Sequence, residues 1–341
     1  MADKPPLKLK ILFWVILGAF SSFFAEVFAG SDMFPFFHAW GVGVVFPLYM
    51  LHTLVLATIV FRLGKPKFYT LYLAGLIFGL YEAYMTKILW FPTWNPQPLS
   101  IGGVAVIEFI VLVMFWHAIL AFVTPLFVGE TLLTKSRTIA NGLPRRLQSV
   151  FAKEGAFWYL AISAVFFGIF QSINSQSPLH SLASGVSTAA VLMALICIWR
   201  NLTSGRNYDM KSLLPGRKAF VILFIALIVM YVALGTVLRI EALPGIESQA
   251  TIWLAYLIAA VLLYTSLKKS RKVNLDVPFR SGLKFSWKKI IILALLFTFA
   301  STISKLLLAG NSLLFVIIGW PVIVFAGIVI FILALKDTLF K

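Results

Sequence analysis

One cysteine, Cys197, stands in the whole chain. It lies inside an apolar run, so no intrachain disulfide can form and no cysteine-based metal site can be built. Acidic residues are scarce as well: 12 Asp and Glu stand against 29 Lys and Arg, and charged residues make up only 12% of the chain. Long polar stretches are missing, and the one sizeable non-apolar segment covers residues 128–155. There is no His-Glu-x-x-His, no Gly-x-Ser-x-Gly, no Walker loop and no dinucleotide fingerprint, which argues against ATP-driven work within this chain and against the common soluble hydrolase and dehydrogenase sites. No cofactor and no metal is expected from the residues present.

What fills the chain instead is hydrocarbon. Of 341 residues, 61% are hydrophobic, and the mean hydropathy is +0.96, far outside soluble composition. A spanning helix needs roughly 20 mainly apolar residues to cross about 30 Å of bilayer core. Such runs are predicted near 8–30, 40–62, 69–90, 101–127, 156–174, 179–198, 218–240, 247–267, 286–308 and 312–334. The expected fold class is an all-α integral membrane protein, a bundle of about ten transmembrane helices. The first run is too long for the apolar core of a secretory signal and reads as a retained helix.

The formal charge of +17 follows the alternation of these spans. Lys4, Lys8, Lys10, Arg62, Lys65 and Lys67 fall on one side. So do Lys135, Arg137, Arg145, Arg146 and Lys153, then Arg200, Arg206, Lys211, Arg217 and Lys218. Lys268, Lys269, Arg271, Lys272, Arg280, Lys284, Lys288, Lys289, Lys336 and Lys341 join them. Only Lys87, Arg239 and Lys305 fall toward the other face. By the positive-inside rule both termini are cytoplasmic, in the cell (plasma) membrane. The basic face suits anionic inner-leaflet lipid better than nucleic acid.

The spans divide as 1–127 with four helices, 128–155 as a cytoplasmic loop, and 156–341 with six helices. Within the loop a short amphipathic helix is predicted from about Pro144, lying on the inner leaflet. Every odd-numbered span places a polar residue after a small one near its outer third: Ser22 and Glu26, Gly79 and Glu82, Gly168 and Gln171, Gly235 and Arg239, Ser301 and Lys305. Phe20-Ser-Ser through Ala29-Gly30 also resembles Ala300-Ser-Thr through Ala309-Gly310. These matches suggest a helical hairpin repeated in one orientation. No inverted repeat and no broken helix is visible, the features that most directly mark a transporter site.

Gly75 and Gly79 form a Gly-x-x-x-Gly pair of the kind found where helices pack closely. Glu82 continues that face, about 12 Å below the outer end of its span. A charged side chain deep in the bilayer costs at least about 2.5 kcal/mol unless it is paired, protonated or wetted. Glu108 lies at a comparable depth and Glu26 is shallower. Three acids thus share the outer leaflet with the three cations Lys87, Arg239 and Lys305, either as helix-joining ion pairs or as a polar cavity. His52 and His117 lie nearer the bilayer centre, where an acid-to-histidine ladder suits proton movement or a buried reaction.

The run Glu82-Ala-Tyr-Met-Thr-Lys87, followed one span later by Phe115-Trp-His117, faintly resembles the intramembrane proteases of the CAAX-processing type. That resemblance implies a glutamate pair, a basic residue and later histidines around an activated water. Here Ala83 replaces the second glutamate, the basic residue is displaced, and Val113 stands four places before His117 where the family has phenylalanine. The chain also resembles uncharacterised prokaryotic polytopic membrane proteins, a resemblance that carries no activity. The sequence favours a secondary carrier or translocator of a small solute or lipid-linked molecule. In it Glu82, Glu108 and Glu26 bind a cation or proton, His52 and His117 pass it inward, and Lys87, Arg239 or Lys305 hold an anionic group. The alternatives are a membrane-embedded hydrolase or lipid-modifying enzyme using Glu82 with His52 or His117, and a structural or assembly protein with no site.

Overall fold

The structure, a computed structural model, describes residues 4–92, 94, 97–153, 155–204, 206, 208–275, 286–307 and 313–340, with 313–316 described by backbone alone. Arg280, Lys284 and Lys341 of the basic set, the Ala309-Gly310 end of the proposed repeat, and Thr93, Asn95 and Pro96 lie outside the described residues.

In lipid each backbone N–H and C=O must be satisfied within its own segment, so apolar runs of this length become helices. In chain order these are α1 (Leu7–Val27), α2 (Gly41–Leu63), α3 (Phe68–Gly79) and α4 (Tyr81–Tyr84), then the hairpin β1 (Ser100–Ile101) and β2 (Val104–Ala105), and α5 (Val106–Leu133). They continue as α6 (Thr138–Asn141), α7 (Arg145–Ala152), α8 (Ala156–Asn174), α9 (Pro178–Leu202), α10 (Met210–Leu213), α11 (Arg217–Val237), α12 (Ile246–Ser270), α13 (Trp287–Leu307) and α14 (Leu313–Leu339). Among the described residues, nine helices are long and apolar enough to cross a membrane, so the chain is a multi-pass helical membrane protein.

The third predicted span does not form a continuous helix, which corrects the expectation that no helix is broken, and the first residues of the fourth, 101–105, lie in the hairpin and not in α5. α3 ends at Gly79, Leu80 turns, and α4 adds a single turn that carries Glu82. The chain then leaves helical geometry altogether, with Lys87 in the left-handed region at φ 58°. The hairpin that follows turns on Gly102 and Gly103, at φ 53° and 73°. A two-residue turn of this hand needs positive φ at both positions, which glycine adopts without a steric penalty.

α5 has its own irregularity. From Phe109 to Val123 its hydrogen bonds span five residues rather than four, a π-helical winding that is rare and tends to occur at functional sites. Shorter π-helical stretches occupy Phe23–Val27 and Gly41–Val45. The amphipathic helix expected from Pro144 forms as α7, with none of its residues buried.

The chain divides into two compact units that do not follow chain order. Unit 1 comprises Met1–Met50, Pro125–Leu214 and Asn274–Gly319; unit 2 comprises Leu51–Thr124, Pro215–Val273 and Trp320–Lys341. In unit 1, two indoles fasten apolar helices to backbone carbonyls: Trp14 Nε1–H donates to Leu213 O and Trp199 Nε1–H to Leu133 O, each at 2.8 Å. In unit 2, α3 lies directly on the π-helical part of α5. A Cβ placed on Gly75 would stand 2.7 Å from the Ala118 backbone, and one on Gly79 would stand 2.7 Å from Val113 Cα. The Gly-x-x-x-Gly face therefore brings backbone against backbone.

Candidate functional site

The close packing of α3 on α5 fixes where Glu82 goes. Gly79 lies over Val113 and His117, and three residues further on the Glu82 carboxylate stands 3.4 Å from His117 Nε2. Both side chains are buried, Glu82 at 7% exposed and His117 at 2%. The described partners of Glu82 are Thr86, whose hydroxyl donates a short hydrogen bond to Oε2, together with Tyr81 and His117. No lysine or arginine is among them.

The tautomer of His117 follows from its other nitrogen. Nδ1 lies 2.9 Å from the carbonyl of Leu112, five residues back, and a carbonyl only accepts. Nδ1 therefore carries hydrogen, and in the neutral ring Nε2 is the lone-pair nitrogen that accepts from the Tyr81 hydroxyl at 3.0 Å. If the ring takes a second proton it does so at Nε2, facing Glu82. A carboxylate, a phenol and an imidazole thus meet where one proton has three neighbouring acceptors.

His52 belongs to the same neighbourhood through different contacts. Its ring stacks on Phe78 with centroids 4.4 Å apart, and its Nε2 lies 3.1 Å from the Tyr231 hydroxyl, which adjoins that of Tyr256. Phe78 and Tyr81 each contact both imidazoles. On the outer flank Tyr84 donates to Gln249 Oε1 at 3.2 Å and accepts from the Trp253 indole.

Lys87 and Arg239 do different work. Lys87 is fully buried, and its ammonium donates to the carbonyls of Leu234, Gly235 and Leu238 at the carboxyl end of α11, the Gly235 bond measuring 2.8 Å. Three donors meet three carbonyls at the negative end of the helix dipole. Arg239 returns the contact, donating to Thr86 O at 3.0 Å and Phe91 O at 2.7 Å, with its guanidinium over the Phe91 ring. Both residues have left-handed backbones, at φ 58° and 51°. They form a clasp between the end of α11 and the loop after α4.

Glu108 is buried at 3% exposed in the first turn of α5, where the helix dipole favours an acid. Among the described hydrogen bonds and ion pairs, His117 is joined to Glu82 and not to Glu108. The two remaining candidates lie in unit 1. Glu26 accepts from the Tyr49 and Ser31 hydroxyls, both at 2.5 Å. Lys305 is half-buried in the last turn of α13. Sequence reasoning missed Tyr81, Thr86 and Tyr231. Thr86 was findable, since it stands four residues after Glu82 within the predicted third span; Tyr231 was not, because its partner is 179 residues away.

A helical membrane protein with a broken span and a buried acid–imidazole pair is the class that the fold and site define. A model of an uncharacterized membrane protein family matches residues 15–340, and the chain belongs to that family. It is similar to an uncharacterized protein of Archaeoglobus fulgidus, 34% identical over 258 residues that cover 75% of this chain and 78% of the relative. No solved structure matches the chain.

Proposed function

We propose that this protein is a secondary carrier that moves a small solute or lipid-linked molecule in exchange for, or together with, protons, with Glu82 and His117 as the proton-carrying pair. The observation that carries the reading is the 3.4 Å approach of the Glu82 carboxylate to His117 Nε2 at a break in a span, with no basic side chain on the acid. Broken helices with polar groups at membrane depth are a recurrent feature of carrier sites. His52, through Tyr231, extends the polar group inward. Lys87 and Arg239, engaged on backbone carbonyls, are better suited to hold the frame than to bind an anionic solute. The basic loops support cytoplasmic termini in a plasma membrane, with anionic lipid against the inner face.

The test is proton flux into vesicles holding the full chain, with a pH gradient and a voltage imposed. The wild type is expected to exceed empty vesicles, and Glu82→Gln to lose at least about ten-fold of that excess, since the amide keeps the shape and cannot carry the proton. Equal flux in the two proteins sinks the reading. A second reading draws on the same contacts: a glutamate held by a threonine and a tyrosine beside a histidine also suits a general base acting on a membrane-borne ester or peptide. It predicts turnover of lipid or peptide in vesicles that show no flux.

A further inference from the structure

Among the described residues, the buried oxygens of unit 1 without a hydrogen-bond partner include Gln171 Oε1 and the hydroxyls of Ser181, Ser301 and Ser304. The first three residues are fully enclosed and Ser304 is 7% exposed. Other hydroxyls on the same helices behave differently. Ser163, Ser172, Thr188 and Thr302 each donate to a carbonyl three or four residues back, the ordinary way a helical hydroxyl is satisfied. An unsatisfied buried polar group costs about 1–3 kcal/mol, and native proteins carry few of them.

The four belong to one level of three helices. Lys289 lies 5.6 Å from the Phe157 ring, and 11 residues further along each helix a Cβ on Gly168 would stand 3.0 Å from Ala300 Cβ. α8 and α13 therefore run parallel, and Gln171, three residues beyond Gly168, falls level with the turn between Ser301 and Ser304. α9 runs the opposite way, with Arg200 over Trp287 at one end and Gly185 against Thr298 further along. One turn on from that contact are Ser181 on α9 and Ser301 on α13. The Gln171 side-chain amide donates to Ser184 Oγ at 3.0 Å and ties α8 to α9 at this level. Ser22, also without a partner, neighbours Phe23, which packs on Phe297 a turn below Ser301, and is left out.

We infer that Gln171, Ser181, Ser301 and Ser304 form a binding site for a monovalent cation, with Na⁺ the first ion to test. All four free ligand atoms are hard oxygens, which suits an alkali or alkaline-earth ion over a soft metal. None is a carboxylate, and four neutral dipoles cannot offset the desolvation of a divalent ion in lipid, whereas neutral oxygens do hold monovalent ions in membrane proteins. Lys305 follows one turn after Ser301, and its half-buried stem is long enough to carry the ammonium to the membrane surface. The cluster shares no residue with Glu82 or His117, so the inference stands independently of the carrier reading.

Thermal unfolding of the purified full chain tests it, at equal ionic strength in NaCl, KCl and N-methylglucamine chloride. A saturable rise in melting temperature with Na⁺ or K⁺ over N-methylglucamine is expected. Ser301→Ala and Ser304→Ala should raise the half-saturating concentration at least ten-fold, while Thr302→Ala, which removes a back-bonded hydroxyl of the same helix, leaves it unchanged. Should a serine variant fail to fold, the wild-type comparison still decides. Identical melting in the three salts, or a rise that survives both serine substitutions, overturns the inference and leaves these oxygens holding water only.

Discussion

Glu82 in unit 2 and Glu130 in unit 1 are both buried acids on apolar helices, at 7% and 0% exposed, yet their surroundings differ in kind. Glu130 accepts from the backbone N–H groups of Ile139 at 3.0 Å and Ala140 at 3.1 Å, and from the Ser136 hydroxyl at 2.9 Å. Those donors are parts of the fold, and the acid ties the end of α5 to the first turn of α6. Glu82 meets a threonine, a tyrosine and a histidine, all side chains, and of the three the imidazole is the one suited to take or give a proton. Burial alone thus says little about function. The contrast that supports the role proposed for Glu82 is between the fixed backbone donors around Glu130 and the titratable side chain beside Glu82.

One substitution made at both positions puts the comparison at risk, because glutamine is isosteric with glutamate. The largest effect expected is on flux: Glu82→Gln lowers it at least about ten-fold in vesicles while the melting temperature stays near wild type. Glu130→Gln should do the reverse. Its amide turns a donor toward the backbone N–H groups, at a cost of about 3 kcal/mol from the lost charge-assisted bonds. Denaturation would register that loss, while flux per folded molecule is unchanged. Flux that falls equally in both variants erases the distinction.

The sequence made the membrane class, the position of most spans and the short helix after Pro144 readable, because each rests on composition or on local turn chemistry. It also made the face joining Gly75, Gly79 and Glu82 readable, since helical spacing alone aligns those three. The partner of that face was not readable. His117 was singled out, but the face it presents depends on how α5 winds, and the π-helical winding of residues 109–123 is a tertiary outcome. The break after Gly79 was hidden for a similar reason: no proline marks it, and Leu80 and Tyr81 are ordinary helix residues. Three acids against three cations suggested ion pairs, yet Lys87 and Arg239 bind carbonyls, which carry no sequence signal at all.

Lys87 and Thr86 sharpen the comparison on a smaller scale, as neighbours with opposite assignments. Lys87→Met keeps the length of the side chain and removes three hydrogen bonds to the end of α11. A loss of about 2–3 kcal/mol is expected, with flux per folded molecule preserved. If flux vanishes from a normally stable Lys87→Met protein, the cation belongs to the transport path and not to the clasp. Thr86→Val, the mildest change, swaps a hydroxyl for a methyl and takes from Glu82 its one donor that does not titrate. The carboxylate then depends on Tyr81 and His117 alone, so stability should fall by about 1 kcal/mol while the pH dependence of flux moves. An unmoved pH profile, measured against wild type in the same vesicles, means that the Glu82 proton does not limit flux, and that Thr86 only closes the turn after α4.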